Sequence, residues 1–383
     1  MRVAGFTSTG SKRPESLFGG SDPGLPLRMV QSTGCRVEDL NGNTYLDFIM
    51  ALGAVALGYG HPAVNHAVLE AVERGGIGPV SPRDEEELAD ELGEIMPWLE
   101  QVRFLKTGAE AVAAAVRLAR VHTGRDQVLG CGYHGWLDWC STAAGVPAAV
   151  RELYAAIPFN RIGAGREAIR RAGSRLACVV LEPVVETAPD PDWLRVVREE
   201  TRRVGALLIF DEIKTAFRVD LGGAVRRWGG DPDLVVVGKA IANGYPLAAV
   251  GGRAEIMERV EDTWISSTTA TEFVSLAAAR ATLQVVRREQ LPERLGRLGT
   301  RLYAGLQALA ARFPARVAGV GGIAEMCYLR YHDDGFSQQV AQHCARRGLL
   351  FKRSAYNFVS RAHDEHTVDE ALGTLQDVLQ ELE

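Results

Sequence analysis

From about Gln101 to Gly252 the apolar positions fall in runs of four to six residues, separated by stretches of helical periodicity. That alternation is the pattern of βαβ units and predicts an α/β fold with a mainly parallel sheet. The runs place strands over Val102–Leu105, Gln127–Cys131, Leu176–Leu181, Ala206–Phe210, Leu234–Val237 and Ala248–Gly251. Two connections read as helices with ordinary start and stop residues: Ala109–Thr123, closed by Gly124, and Trp193–Val204, opened after Asp192 and closed by Gly205. Upstream, Cys35–Asp47 shows two short alternating runs around Asn41-Gly42, a hairpin signal. Downstream come helices over Glu272–Glu289 and Leu295–Phe313, a strand-like run over Val317–Arg330, a helix near Phe336–Arg347, a strand at Leu349–Lys352 and a last helix from Thr367. The first 27 residues, rich in Gly, Ser and Pro, read as an irregular arm that builds no core.

The composition narrows the function classes. A net charge of -5 over 383 residues gives no pull toward nucleic acid or an anionic membrane surface. The longest apolar stretch, Phe48–Gly58, is too short and glycine-rich to span a bilayer, and the N-terminus has no apolar leader, so a cytoplasmic location is expected. The six cysteines show neither metal-ligand nor disulfide spacing. Of 43 basic residues only five are lysines: Lys12, Lys106, Lys214, Lys239 and Lys352. The bias matches that of a GC-rich genome, and it makes each lysine worth placing.

In open parallel sheets ligands bind beyond the carboxyl ends of the strands. The residues there are Lys106-Thr107-Gly108-Ala109-Glu110, Gly132-Tyr133-His134-Gly135, Glu182-Pro183, Asp211-Glu212 and Gly238-Lys239. Two familiar motifs fail on inspection. The Ala206–Glu212 strand, ending in paired acids, resembles that of a nucleotide triphosphatase, yet no Gly-rich loop ending in Lys-Ser or Lys-Thr exists. Gly130-x-Gly132-x-x-Gly135 fits a dinucleotide fingerprint, but Tyr133, His134 and Trp136 crowd the place where backbone must approach a pyrophosphate.

Lys239 differs in kind. A lysine at the end of a buried Val-Val-Val-Gly strand is costly unless its amine is used, and desolvated amines form Schiff bases with aldehydes, the entry to pyridoxal phosphate chemistry. Such chemistry also needs a carboxylate at the pyridine nitrogen, an aromatic face and a helix N-terminus for the phosphate. Asp211, Tyr133 and Gly108-Ala109 offer these, each from its own strand end. Thr107 and Glu110 around that turn form a capping box, which alone is ordinary helix chemistry.

The chain resembles the class III pyridoxal phosphate-dependent aminotransferases, particularly the branch with glutamate-1-semialdehyde aminomutase. The likeness runs from Cys35 to the C-terminus through VEDLNGNTYLDF, FLKTGAEAVAAAVRLAR, GYHGW, LEPV, LLIFDEIKTAFRVDLGGA, PDLVVVGKAIANGYPLAAVGG and ISSTTATEFVSLAAA. It implies the fold type I architecture of the aspartate aminotransferase kind. An arm and small-domain hairpin would occupy residues 1–50, a large cofactor domain 51–270 and a C-terminal small domain 271–383. It further implies that Lys239 forms the Schiff base and moves protons, that Asp211 pairs with the pyridine nitrogen, and that Tyr133 and Ile213 sandwich the ring. Gly108 and Ala109 would bind phosphate, Glu182 would position the cofactor or Lys239, and Thr268 would reach the phosphate of a neighbouring subunit in a homodimer with shared sites.

Departures from the aminomutase pattern shape the expected reaction. Ala109 stands where many members carry a hydroxyl, Ala355 where the aminomutase has a gating glutamate, and Leu52 where it has a tryptophan. The arm from Pro14 to Leu27 has no arginine for a substrate carboxylate. The resemblance therefore implies transfer of an amino group from an amino acid to a keto or aldehyde acceptor, such as a sugar, cyclitol or nucleoside of natural-product biosynthesis. Pyridoxamine phosphate would carry the nitrogen between half-reactions. A mutase or epimerase acting within one carbon skeleton is the alternative. Glu272 either faces the substrate or caps the helix that follows it.

Overall fold

Seven strands between residues 62 and 292 form the central sheet of a computed structural model that describes residues 2–383. In chain order they are β1 (Gln101–Leu105), β2 (Gln127–Cys131), β3 (Tyr154–Ala156), β4 (Leu176–Leu181), β5 (Leu207–Asp211), β6 (Leu234–Val237) and β7 (Ala248–Gly252). The spatial order is β1-β7-β6-β5-β4-β2-β3. Pairing is parallel from β3 across to β6, and β7 runs antiparallel to both its neighbours, β6 and β1. Strands β4 to β7 are buried along their whole length, which is why they read as uninterrupted apolar runs rather than alternating ones.

Helix Gly108–Thr123 covers one face with small residues, Ala111, Ala114, Ala115 and Ala119, interleaved with Val112, Val116 and Leu118. The next crossover, helix Pro191–Val204, begins two residues before the expected start. Asp190 is the cap, its carboxylate accepting from the Asp192 N–H at 2.8 Å, and Pro191 fills the first helical position, where no N–H is needed.

The chain divides into two compact units, Pro62–Pro292 and a second made of Met1–His61 with Glu293–Glu383. These boundaries fall later than 50 and 270. Residues 51–61 are tied to the second unit by a bridge between Gly34 and Tyr59, by the Tyr59 hydroxyl on Asp47 at 2.7 Å and by the Arg361 N–H on the Ala56 carbonyl. Helix Phe273–Arg288 packs on helices Pro62–Glu73 and Arg83–Ile95, neither of which the apolar pattern announced.

The second unit holds the hairpin at Asn41-Gly42, in a sheet of Met29–Thr33, Arg36–Asp39, Thr44–Asp47 and Leu349–Leu350. The run from Val317 resolves into two antiparallel strands, Val317–Ile323 and Met326–Tyr331, because Ala324 and Glu325 turn the chain. The arm does build core: helix Pro14–Phe18 and the loop after it bury Phe18 and Leu25 against Ala341 and Ala345 of helix Asp334–Arg346. No helix of the described residues is long and apolar enough to cross a membrane.

Candidate active site

The carboxyl ends of β2, β4, β5 and β6 deliver polar groups to one edge of the sheet. At the end of β5 two neighbouring acids part company. Asp211 is buried, with Oδ2 at 2.8 Å from His134 Nδ1 and Oδ1 accepting from the Ile213 N–H at 3.2 Å. Glu212 accepts instead from the Ala224 and Val225 N–H groups at 2.8 and 2.9 Å and from the Thr215 hydroxyl. Burial pushes its carboxyl up to about 7, with those hydrogen bonds opposing the shift. Glu212 thus fastens the segment after β5, and Asp211 with His134 forms the buried pair at the sheet edge.

Lys239 follows β6 after Gly238 and adopts a left-handed φ of 44°. Burial brings its amine down to about 8; Asp211 and Glu182 counter that effect, and Lys214 and Arg218 add to it. A fraction of this amine is therefore neutral near pH 7, as a nucleophile toward an aldehyde must be.

Glu182, at the end of β4, is buried and doubly held. Its Oε1 lies 2.9 Å from Lys214 Nζ, and its Oε2 accepts from the Tyr133 N–H at 3.0 Å. A Cβ on Gly132 would stand 2.5 Å from that same Oε2, so only glycine lets the backbone after β2 come so close. The Tyr133 ring itself is exposed.

At β1 the capping box is complete: Glu110 N–H donates to the Thr107 hydroxyl at 3.2 Å, and Thr107 N–H donates to Glu110 Oε2 at 2.9 Å. Gly108 opens the 16-residue helix, and a Cβ there would lie 2.5 Å from Ile213 Cδ1, so Ile213 rests directly against the helix start. Glu272 is a cap. Its carboxylate accepts from the Val274 and Ser275 N–H groups at 2.7 and 2.9 Å and pairs with Lys106 Nζ at 2.6 Å.

The structure thus brings Asp211, Ile213 and Gly108 into contact in sequence, holds Glu182 on the Tyr133 backbone, sets Ala109 against Gly135 and places Lys239 beyond the end of β6 on the same edge. Thr268 stands apart from this network, exposed on the Ser267–Ala270 turn. Strand-end reading had marked His134 without a role; a histidine beyond β2, on the edge where Asp211 emerges, was the available signal. Lys214, one of the five lysines, has no role in the sequence pattern, because nothing local predicts that a residue after β5 reaches a glutamate after β4.

These groups fit pyridoxal phosphate. A mostly buried amine of lowered basicity, a buried carboxylate braced by histidine, and a glycine-opened helix whose free N–H groups favour phosphate are the donors it requires. A mainly parallel sheet with such an edge is the fold type I of pyridoxal phosphate-dependent transferases. The chain belongs to the class III aminotransferases: the model of the family described as "Aminotransferase class-III" matches residues 20–379. It is 36% identical to a glutamate-1-semialdehyde 2,1-aminomutase of Pyrobaculum arsenaticum, over 88% of each chain. The solved pyridoxal phosphate form of the FumI protein of Sphingopyxis sp. MTA144 superposes with a TM-score of 0.92 at 26% identity, covering 98% of this chain and 92% of that one. A β-phenylalanine aminotransferase of Variovorax paradoxus superposes with 0.85 at 26% identity, covering 94% and 90%. The enzyme is a class III aminotransferase of the aminomutase-like branch, with pyridoxal phosphate as its cofactor.

Proposed function

We propose that the enzyme moves an amino group from an amino acid to a keto or aldehyde acceptor of the sugar, cyclitol or nucleoside kind, in two half-reactions. The observation that supports pyridoxal phosphate chemistry is the placing, at one sheet edge, of Lys239 just beyond the end of β6 and of the buried Asp211–His134 pair at the end of β5. Bound pyridoxal phosphate supplies the electron sink for the bonds at the amine-bearing carbon. Lys239 is the amine that carries the cofactor and afterwards moves a proton at the substrate carbon. Asp211, braced by His134 and the Ile213 N–H, holds a negative charge toward the ring nitrogen. Gly108 and Ala109 turn backbone N–H groups to the phosphate, Ile213 and Tyr133 pack on the ring faces, and Glu182 fixes the Tyr133 backbone. Thr268 completes the phosphate site of a second subunit.

The acceptor class follows from what the chain lacks: Leu52 and Ala355 stand where an aminomutase has its tryptophan and gating glutamate. Leu52 lies in a turn, Met50–Gly53, whose four residues all have positive φ. The alternative, an aminomutase, is favoured by the names of the relatives. One experiment separates them. With the loaded enzyme and a single amine substrate, transamination stops after one amino group per site and resumes when a carbonyl acceptor is added, whereas an isomerase continues on one substrate. Borohydride reduction should fix the cofactor to the peptide containing Lys239; fixation to Lys106 or Lys214 would overturn the assignment.

A further inference from the structure

Met50, Ala51, Leu52 and Gly53 form a left-handed turn, with φ of 46°, 50°, 60° and 85°. Single L-residues visit this region, but a run of them is disfavoured, because each Cβ crowds the carbonyl that follows it. Among the described residues no other two neighbouring non-glycine residues share it. The chain has 41 glycines, many of them at positive φ, yet it keeps Met, Ala and Leu here. Strain of this kind persists only where the surroundings over-determine it, so what holds the run and what its side chains face are the informative features.

The hold is polar and local. Asp47, at the end of strand Thr44–Asp47, is buried, and its Oδ1 accepts from the Ile49 N–H at 2.7 Å. Its Oδ2 accepts from the Met50 N–H at 3.1 Å and from the Tyr59 hydroxyl at 2.7 Å. One carboxylate thus ties the entry of the turn to the segment that follows it. Phe358 packs on Gly53 so closely that a Cβ there would stand 2.7 Å from its ring. Asp47, Ile49, Ala51 and Tyr59 also line a cavity of about 370 Å³, together with Lys12 and Leu17 of the arm.

We propose that Asp47 and Tyr59 are positioning residues that clasp Met50–Gly53 in its left-handed form, and that the clasped turn sets the wall which Ile49 and Ala51 give this cavity. Once the clasp is open, residues 50–52 return to ordinary φ and the wall moves with them. The same cavity contains its own comparison. The Tyr45 hydroxyl donates to buried Asp39 at 2.8 Å, but the other partners of Asp39 are Asn41 and Asn43 of the hairpin, not the turn. The clasp stands apart from the transamination reading, since it involves neither cofactor nor substrate.

Hydrogen exchange of the full-length protein, read by mass spectrometry on the peptide of residues 48–55, tests the clasp. It is run at about pH 8, above the value of about 6 to which burial pushes Asp47, so that the carboxylate is charged. Tyr59→Phe removes one hold and should speed exchange of this peptide about tenfold, the worth of one hydrogen bond to a charged group. Tyr45→Phe loses the matching bond to Asp39 and should leave the peptide unchanged. Adding Ala51→Gly to Tyr59→Phe should recover most of the protection, because glycine takes the φ of 50° without strain. Gln290→Gly, at another exposed left-handed position, should recover none. The arm peptide of residues 7–17, which shares the cavity, should follow the same order of rates. Equal rates in Tyr59→Phe and Tyr45→Phe, or no recovery with Ala51→Gly, would overturn the clasp; an arm that stays unmoved while the turn opens would overturn the turn's part in the cavity wall.

Discussion

Replacing Gly132 by alanine tests a close contact behind the site. Gly132 has a φ of 108°, which an L-residue adopts only with strain, at about 1–2 kcal/mol. The new methyl would also stand 2.5, 2.7 and 2.9 Å from Oε2, Cγ and Cβ of Glu182. That side chain has no easy retreat, since one oxygen is held by Lys214 and the other by the Tyr133 N–H. Forcing a methyl into such a place costs about 1–3 kcal/mol more, or it moves the backbone that carries Tyr133. The expected total is about 2–5 kcal/mol, the sum of the strain and the overpacking. Gly124→Ala is the matched control: its φ of 66° imposes backbone strain, yet no heavy atom lies within 4 Å of the added carbon. Urea midpoints of the two variants, compared at a common slope, should differ by about 1–3 kcal/mol. Gly132→Ala should also release the cofactor faster on dialysis. Equal losses of stability and equal cofactor retention in the two variants would refute the view that Glu182 and Tyr133 are held as one unit.

Asp211→Asn keeps the shape and the hydrogen bond from the Ile213 N–H but removes the charge, so turnover should fall on the order of 10²–10³-fold with the circular dichroism spectrum unchanged. Near-normal turnover would rule out its electrostatic role. For Glu272, burial favours the protonated carboxyl, but hydrogen bonds from Lys106 and Ser275 and the Lys106 charge outweigh it and hold the group below its usual range. Its stabilising contribution is therefore complete above the ordinary carboxylate value and is lost as pH falls through the lowered one; Glu272→Gln should flatten the acid limb of a melting-temperature profile, and an identical limb would refute the pairing. Mixing Lys239→Ala with Thr268→Ala subunits should restore one tight cofactor site per heterodimer, measured by bound absorbance. No recovery would exclude Thr268 from acting across an interface.

The strands over 127–131, 176–181 and 234–237 were legible to the residue because burial on both faces forces continuous apolar runs with polar residues just beyond them. Lys239 and Asp211 were legible for the same reason, as polar groups set against such runs. Helix Arg83–Ile95 was not, since its apolar stripe of Leu88, Leu92 and Ile95 is diluted by acids paired to Arg74, just after the preceding helix, and to Arg280, from a distant segment. The packing of Phe18 and Leu25 depends on alanines more than 300 residues away, which no local window reports. The Glu182 clamp depends likewise on a cation from another strand's end, and a sequence fixes that meeting only through the order of strands in the sheet.

Strand β7 has a consequence for distance. Because it runs against its neighbours, it starts at the catalytic edge with Ala248 and ends at the far rim, giving that edge width but no functional group. At about 4.8 Å per strand, its insertion sets β1 and the helix opening at Gly108 roughly 10 Å from β6, while Asp211 on β5 stays one spacing from β6 on the other side. The reversed strand is thus a ruler for the cofactor edge. A residue that bulged it, such as a larger one at Gly251 where a Cβ would already meet Val102 at 2.6 Å, would alter the reach between lysine and helix start without touching either.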